Sequence, residues 1–205
     1  KLDHHTVNNL LYYLMMTDNK DEALWTQMIQ HTLDNNQKIP VTAYTPFKMS
    51  KFYINHHFPT MDIRDYYDKF FYPERYYTTE LKEDLGMTPK GYTDFIKYLV
   101  HRFFIYPIPF VPFHNIFILR ACFMEHKIAV NFFNDIELMP QEKRIDGRKK
   151  LDSKIMGYLG WEVLDMSETE HDSMYRNDRD QFYHDWFTQA KEKQRERGIG
   201  PDVTK

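Results

Sequence analysis

The chain has 205 residues and a mass of 25.0 kDa, enough for one domain or two small ones with a substantial core. Hydrophobic residues make up 42% and charged residues 28%, which excludes a disordered or collagen-like chain. A net charge of −3 gives no overall attraction to nucleic acid or anionic lipid, so any such binding has to come from a local patch. The aromatic share is high, with 16 Phe, 15 Tyr and 3 Trp, and these rings must be buried in a core or against a partner. Cys122 is the single cysteine and cannot form an internal disulfide, which points to a reducing compartment such as cytosol or mitochondrial matrix. The most apolar stretch, 98–119, is interrupted by His101, Arg102, Pro107, Pro109, Pro112 and His114, so no membrane-spanning helix is expected there. A chain opening on Lys1 rather than Met is expected to follow a further segment, such as a targeting peptide.

Residues 1–105 read as an α-helical region, of the kind that degenerate helical repeats build. Leu10, Leu11, Leu14 and Met15 form one stripe. Leu24, Trp25, Met28 and Ile29 form a second behind Asp18, Asp21 and Glu22, which suit a helix N-terminus, and the two helices are expected to pair antiparallel. Further helices are expected over 62–72, 73–85 and 92–105, punctuated by Pro73, Gly86 and Pro89. The alternating prolines of 105–112 (IYPIPFVP) forbid helix, so 106–115 reads as an extended connector.

After the connector the period changes. Segments 116–123 (IFILRACF) and 127–133 (KIAVNFF) are β-branched and aromatic runs parted by Met124, Glu125 and His126, the pattern of a β-hairpin. A helix over 148–158 carries Leu151 and Ile155 inward and stops at Gly160. Segment 161–166 (WEVLDM) reads as a strand and 179–197 as a helix burying Phe182, Tyr183, Trp186, Phe187 and Ala190. The expected second part, 116–197, is a β-β-α-β-α unit, followed by a flexible tail at 198–205; the chain as a whole is of mixed α+β or α/β class.

Segment 147–167, GRKKLDSKIMGYLGWEVLDMS, resembles the RAP domain that ends the FAST kinase family and many organellar RNA-handling proteins. Leu151, Ile155, Gly160 and Trp161 carry its basic helix and Gly-aromatic ending, Val163, Leu164 and Met166 its strand, and 127–130 (KIAV) its central strand. The resemblance implies a restriction-endonuclease-like fold, mitochondrial (matrix) location and work in RNA processing or stability. The chain departs from the family at 131–135, where Asn131, Phe132, Phe133, Asn134 and Asp135 replace an acidic residue and a Gly-Pro-x-His-like turn. Residues Ser167 to Glu170 likewise replace a Glu-Trp strand end. Both changes remove polar groups that a nuclease or a tight RNA contact would use, and a non-catalytic protein is expected.

The strongest charge cluster is Lys143, Arg144, Arg148, Lys149, Lys150 and Lys154, against Glu142, Asp146 and Asp152. Arg148, Lys150 and Lys154 are expected along an exposed helix side where they would track a phosphate backbone, with Tyr158 available to stack on a base. The acidic stretch 165–185 opposes this by repelling phosphate. With 34 aromatics, the chain also reads as a structural subunit of a large assembly, facing partners through 44–58 and 66–77. A divalent-metal nuclease would need an Asp with a Glu-x-Lys set. Glu125-His126-Lys127, with Asp135 and Glu137, spells it but falls in the predicted turn. The pairs His4–His5, His56–His57 and Asp180–His184 lack a third ligand, and phosphate-loop and nucleophile-elbow motifs are absent, so no metal, cofactor or catalytic residue is expected. The function expected is an RNA-associated protein or accessory subunit of a mitochondrial ribonucleoprotein. The alternative is a scaffold subunit of a respiratory or ATP synthase complex, and a nuclease stands third.

Overall fold

The computed structural model describes residues 2–34, 44–64, 90–113, 116–134, 138 and 147–200. The chain divides into two compact units, 1–77 and 78–205. The helices expected over 62–72 and 73–85 lie almost wholly outside the described residues.

The first unit contains α1 (His4–Met16), α2 (Glu22–Asp34) and α3 (Tyr44–His57). Asp3 caps α1 by accepting the Thr6 backbone N–H at 2.7 Å, which satisfies one of the donors a helix start leaves open. Val7, Leu11, Leu14 and Met15 then fall on one buried stripe. In α2 the buried side is Trp25, Met28, Ile29 and Thr32. Helix α1 packs chiefly on α3 rather than on α2, because α3 is the most enclosed of the three, burying Phe47, Met49, Tyr53 and Ile54. Trp25 stacks on Tyr53 with ring centroids 5.1 Å apart, and both side chains donate to the Asn19 carbonyl, at 2.8 and 2.9 Å. This packing corrects the expectation that 44–58 faces a partner: Phe47, Tyr53 and Phe58 are core residues of their own unit.

The second unit is a mixed α+β fold around a four-stranded sheet in the order β1-β2-β3-β4. Helix α4 (Lys90–Phe103) leads into β1 (Ile108–Phe113), β2 (Phe117–Phe123) and β3 (Ile128–Phe133). The chain continues through α5 (Gly147–Tyr158), β4 (Glu162–Ser167), α6 (Glu168–Ser173) and α7 (Arg176–Glu196). Strands β1, β2 and β3 form an antiparallel meander, and β4 joins β3 in parallel after the α5 crossover. Glu168–Ser173 is a helix because Ser167 and Glu170 make a reciprocal capping box: the Glu170 N–H donates to Ser167 Oγ at 3.1 Å and the Ser167 N–H to Glu170 Oε2 at 2.8 Å.

The segment 106–115, expected as an extended connector, instead supplies the edge strand Ile108–Phe113. Proline cannot donate to a ladder, but an edge strand is bonded on one side only, so Pro109 and Pro112 are tolerated there opposite Ala121 and Ile118. The α4 helix belongs with the sheet rather than with the helices before it, since Tyr92, Phe95 and Leu99 enter the core of the second unit. The expected hairpin is present, turning through a 3-10 turn, Met124–His126, and a left-handed Lys127. Gly160 ends α5 as expected, with φ +82°, a conformation that favours glycine, and the Trp161 N–H closes back on the Met156 carbonyl at 3.1 Å.

The sheet's two faces bury different cores. One carries Ala121, Phe123, Ile128, Val130, Phe132, Leu164 and Met166 against Tyr92, Phe95 and Leu99 of α4 and Tyr183, Phe187 and Ala190 of α7. The other carries Leu119, Cys122 and Ala129 against Met156 of α5, with Phe113 and Trp161. Among the described residues no helix is long and apolar enough to cross a membrane.

Candidate functional site

Alternation along β4 sends Asp165 to the α5 face and Met166 to the α4/α7 face; the first lies in a half-buried polar network and the second in a buried one. On the α5 face, Ser153 Oγ donates to Asp165 Oδ1 at 2.6 Å and Asn131 Nδ2 donates to the same oxygen at 3.2 Å. Burial pushes the Asp165 carboxyl above its usual range, an effect that these two hydrogen bonds and the charge of Lys150 oppose. Asn131 on β3 therefore donates to a half-buried carboxylate on the neighbouring strand.

On the opposite face the network runs from Met166 outward. His171 is 1% exposed, with Nδ1 2.8 Å from Tyr183 Oη and Nε2 2.7 Å from Arg179 Nη1. A guanidinium has only donors, so Nε2 must accept; the imidazole is neutral, carries its proton on Nδ1 and donates it to Tyr183. The Tyr183 hydroxyl then donates to Met166 Sδ at 3.4 Å. Burial first, and the Arg179 charge second, hold His171 below the ordinary histidine range. Burial also pushes the Tyr183 phenol well up. The imidazole lies against α4 only because residue 91 is glycine: a Cβ there would come within 2.7 Å of the His171 ring.

This network ends in a cleft of about 530 Å³ between α4 and α7, lined by Asp94, Lys97, His101, Arg176, Arg179 and Asp180, with Tyr98 on its wall. A neighbouring cleft of about 420 Å³ shares Tyr98 and Asp180 and adds Arg102 and His184. Asp94 Oδ2 stands 4.0 Å from His171 Nε2. Among the described residues no carboxylate pairs with Arg179, whose recorded hydrogen bond goes to the neutral His171.

The cations singled out in the sequence lie elsewhere. Arg148 and Lys150 are exposed on α5, and Lys149 and Lys154 are half-buried; Lys143 and Arg144 lie outside the described residues. Lys150 and Lys154, one turn apart, share a side of the helix. Arg148 does not join them, because two residues turn a helix by about 200°. Tyr158 is half-buried. Glu125 and His126 occupy the hairpin turn, Glu125 exposed and His126 half-buried, while Asp135, Glu137 and the segment 66–77 lie outside the described residues. Asp180 and His184 both line the second cleft, and His184 turns to Asp185 at 3.4 Å. Among the described residues no three His, Cys, Asp or Glu side chains gather to hold a metal. Cys122 is buried, which pushes its thiol up to about 11 and leaves it a poor nucleophile at neutral pH.

Sequence reasoning missed His171, Arg179, Gly91 and Lys97, which no local motif links. One signal was available: the S-x-x-E spelling at 167–170 marks a helix start, and that helix delivers His171. No known protein family matches the chain, and no curated protein matches it.

Proposed function

We propose that the protein is a non-catalytic, RNA-associated subunit of a mitochondrial ribonucleoprotein, in which α5 presents Arg148, Lys149, Lys150 and Lys154, with Lys143 and Arg144 ahead of them, to a phosphate backbone. The observation that carries this reading is that Lys150 is exposed, with Lys154 one turn on along the same side and Arg148 exposed at the start, on a helix that joins two parallel strands of a helix–three-strand–helix–strand unit. That order supports the restriction-endonuclease-like core implied by the resemblance to the RAP domain. The acidic stretch 165–185 is less of an obstacle than its charge count implies. Asp165 is turned inward, Glu170 is spent on the Ser167 cap, and Arg176 and Arg179 lie within the same stretch.

The test is fluorescence anisotropy of a labelled mixed-sequence single-stranded RNA across a salt series, with the parent chain and the double variant Lys149→Glu, Lys150→Glu. Loss of two phosphate contacts lowers the log–log salt slope by about 1.4 and weakens binding at least tenfold. An unchanged slope and affinity would overturn the reading.

A second reading, a scaffold subunit held by protein contacts, is favoured by one observation: Phe104, Tyr106 and Ile108 are 84%, 76% and 50% exposed at the entry to the edge strand. Sedimentation of the native particle with and without RNase separates the two. A particle that collapses after RNase supports RNA association, and one that survives supports the scaffold.

A further inference from the structure

The cleft between α4 and α7 combines three features that the RNA reading of α5 does not use. The first is an arginine whose charge is held in place without being neutralised. Arg179 donates Nη1 to a buried, neutral imidazole that is itself fixed by Tyr183, so its remaining guanidinium donors and its full positive charge stay available to a ligand. The second is a pair of further cations on the cleft wall, Lys97 and Arg176, with the His101 ring beside them. None of the three has a hydrogen bond or ion pair among the described residues. The third is the company these cations keep, since Asp94 and Asp180 supply acceptors for hydroxyl groups and Tyr98 offers a half-buried ring. A volume near 530 Å³ exceeds what a bare phosphate fills and lies in the range of small-ligand sites.

We propose that this cleft binds a ribonucleoside monophosphate unit, either free or as the 5′-phosphorylated end of an RNA. Arg179, Arg176 and Lys97 take the phosphate, a carboxylate of Asp94 or Asp180 accepts from a ribose hydroxyl, and the base lies against Tyr98. His171 is a positioning residue: it holds Arg179 and does not itself touch the ligand's phosphate. The site is separate from the α5 cations, because α4 and α7 cover one face of the sheet and α5 the other.

Isothermal titration of the full chain with adenosine monophosphate and with adenosine tests the idea. The monophosphate binds one to one, and adenosine at least tenfold more weakly. Lys97→Gln and Arg176→Gln, both on exposed positions that the core does not need, each weaken the monophosphate severalfold, and Arg179→Gln abolishes the preference over adenosine. Lys149→Glu with Lys150→Glu leaves it unchanged, so the two sites fail or stand separately. Hexaribonucleotides with a 5′-phosphate or a 5′-hydroxyl then distinguish the sources. Preference for the phosphorylated end supports an RNA terminus, and binding of the free monophosphate alone supports a mononucleotide. Equal affinity for adenosine and its monophosphate, or indifference to Lys97→Gln and Arg176→Gln, would overturn the proposal.

Discussion

The two polar networks that flank β4 start from adjacent residues and end differently. Around Asp165 the donors come from Ser153 and Asn131 and converge on one oxygen, while Lys150 supplies charge from the same helix. Around His171 the chain of donors begins at Arg179, in a cleft, and runs inward to a sulfur. The first network gathers neutral donors on a half-buried carboxylate; the second leaves a charge facing outward with a neutral group behind it. Burial of a polar group therefore says little about its role until the last member of its network is found, because that member decides whether the network ends inside the protein or at a ligand.

The cores beneath the networks differ in size. Phe187 is fully buried between α7 and the sheet, its ring centroid 5.1 Å from those of Phe103 and Phe123, and Phe187→Ala is expected to cost about 3–5 kcal/mol in a urea titration. Met156→Ala, in the smaller core under α5, is expected to cost about 2–4 kcal/mol. Equal losses would remove the distinction between the two cores.

Gly91→Ala places a methyl 2.7 Å from the His171 ring, which must shift at a cost of about 1–3 kcal/mol. A crystal structure of the variant should show Arg179 displaced from His171 with the Asp165 network intact. Ser153→Ala strips one donor from a half-buried carboxylate and is expected to cost about 1 kcal/mol, with no effect on the cleft.

The smallest effects are in pH dependence, and they have opposite signs. The His171 pKa is lowered on folding, so below about 6.5 the unfolded chain binds the proton that the folded chain resists. Its contribution is complete at higher pH and fades as pH falls through 6.5; His171→Gln removes that slope. The Asp165 pKa is raised, so its folded-state penalty is absent below 3.8 and grows as pH rises through the elevated value. Asp165→Asn keeps an oxygen for both donors and is expected to be at least as stable as the parent at pH 7, an advantage that shrinks toward pH 4. Denaturant melts at pH 4, 5.5 and 7 read both.

Much of the second unit was legible. The period-2 runs of 116–133, the inward Leu151 and Ile155, and the stop at Gly160 led to β2, β3 and α5 with small boundary shifts, because each pattern is local. The strand at Ile108–Phe113 was not, since proline argues against a ladder and only a place at the sheet edge reverses that argument. Helix α3 was read as a surface for partners because its aromatics are dense, and nothing local says that α1 and Trp25 cover them. Of the expected phosphate-tracking row, Lys150 and Lys154 keep a common side, and Arg148 leaves it for a reason countable in the sequence.

Composition and periodicity settled the class of the chain, most of its second-unit elements, the buried stripe of each of its first helices and the exposed cations of α5, since these follow from spacing along one segment. Tertiary structure alone decided the cleft. Lys97 and Arg179 are more than 80 positions apart, and only the packing of α4 and α7 on one face of the sheet brings them to a common cavity. Parity along β4 then determined which side chain, Asp165 or the Met166 that accepts from Tyr183, would be connected to it.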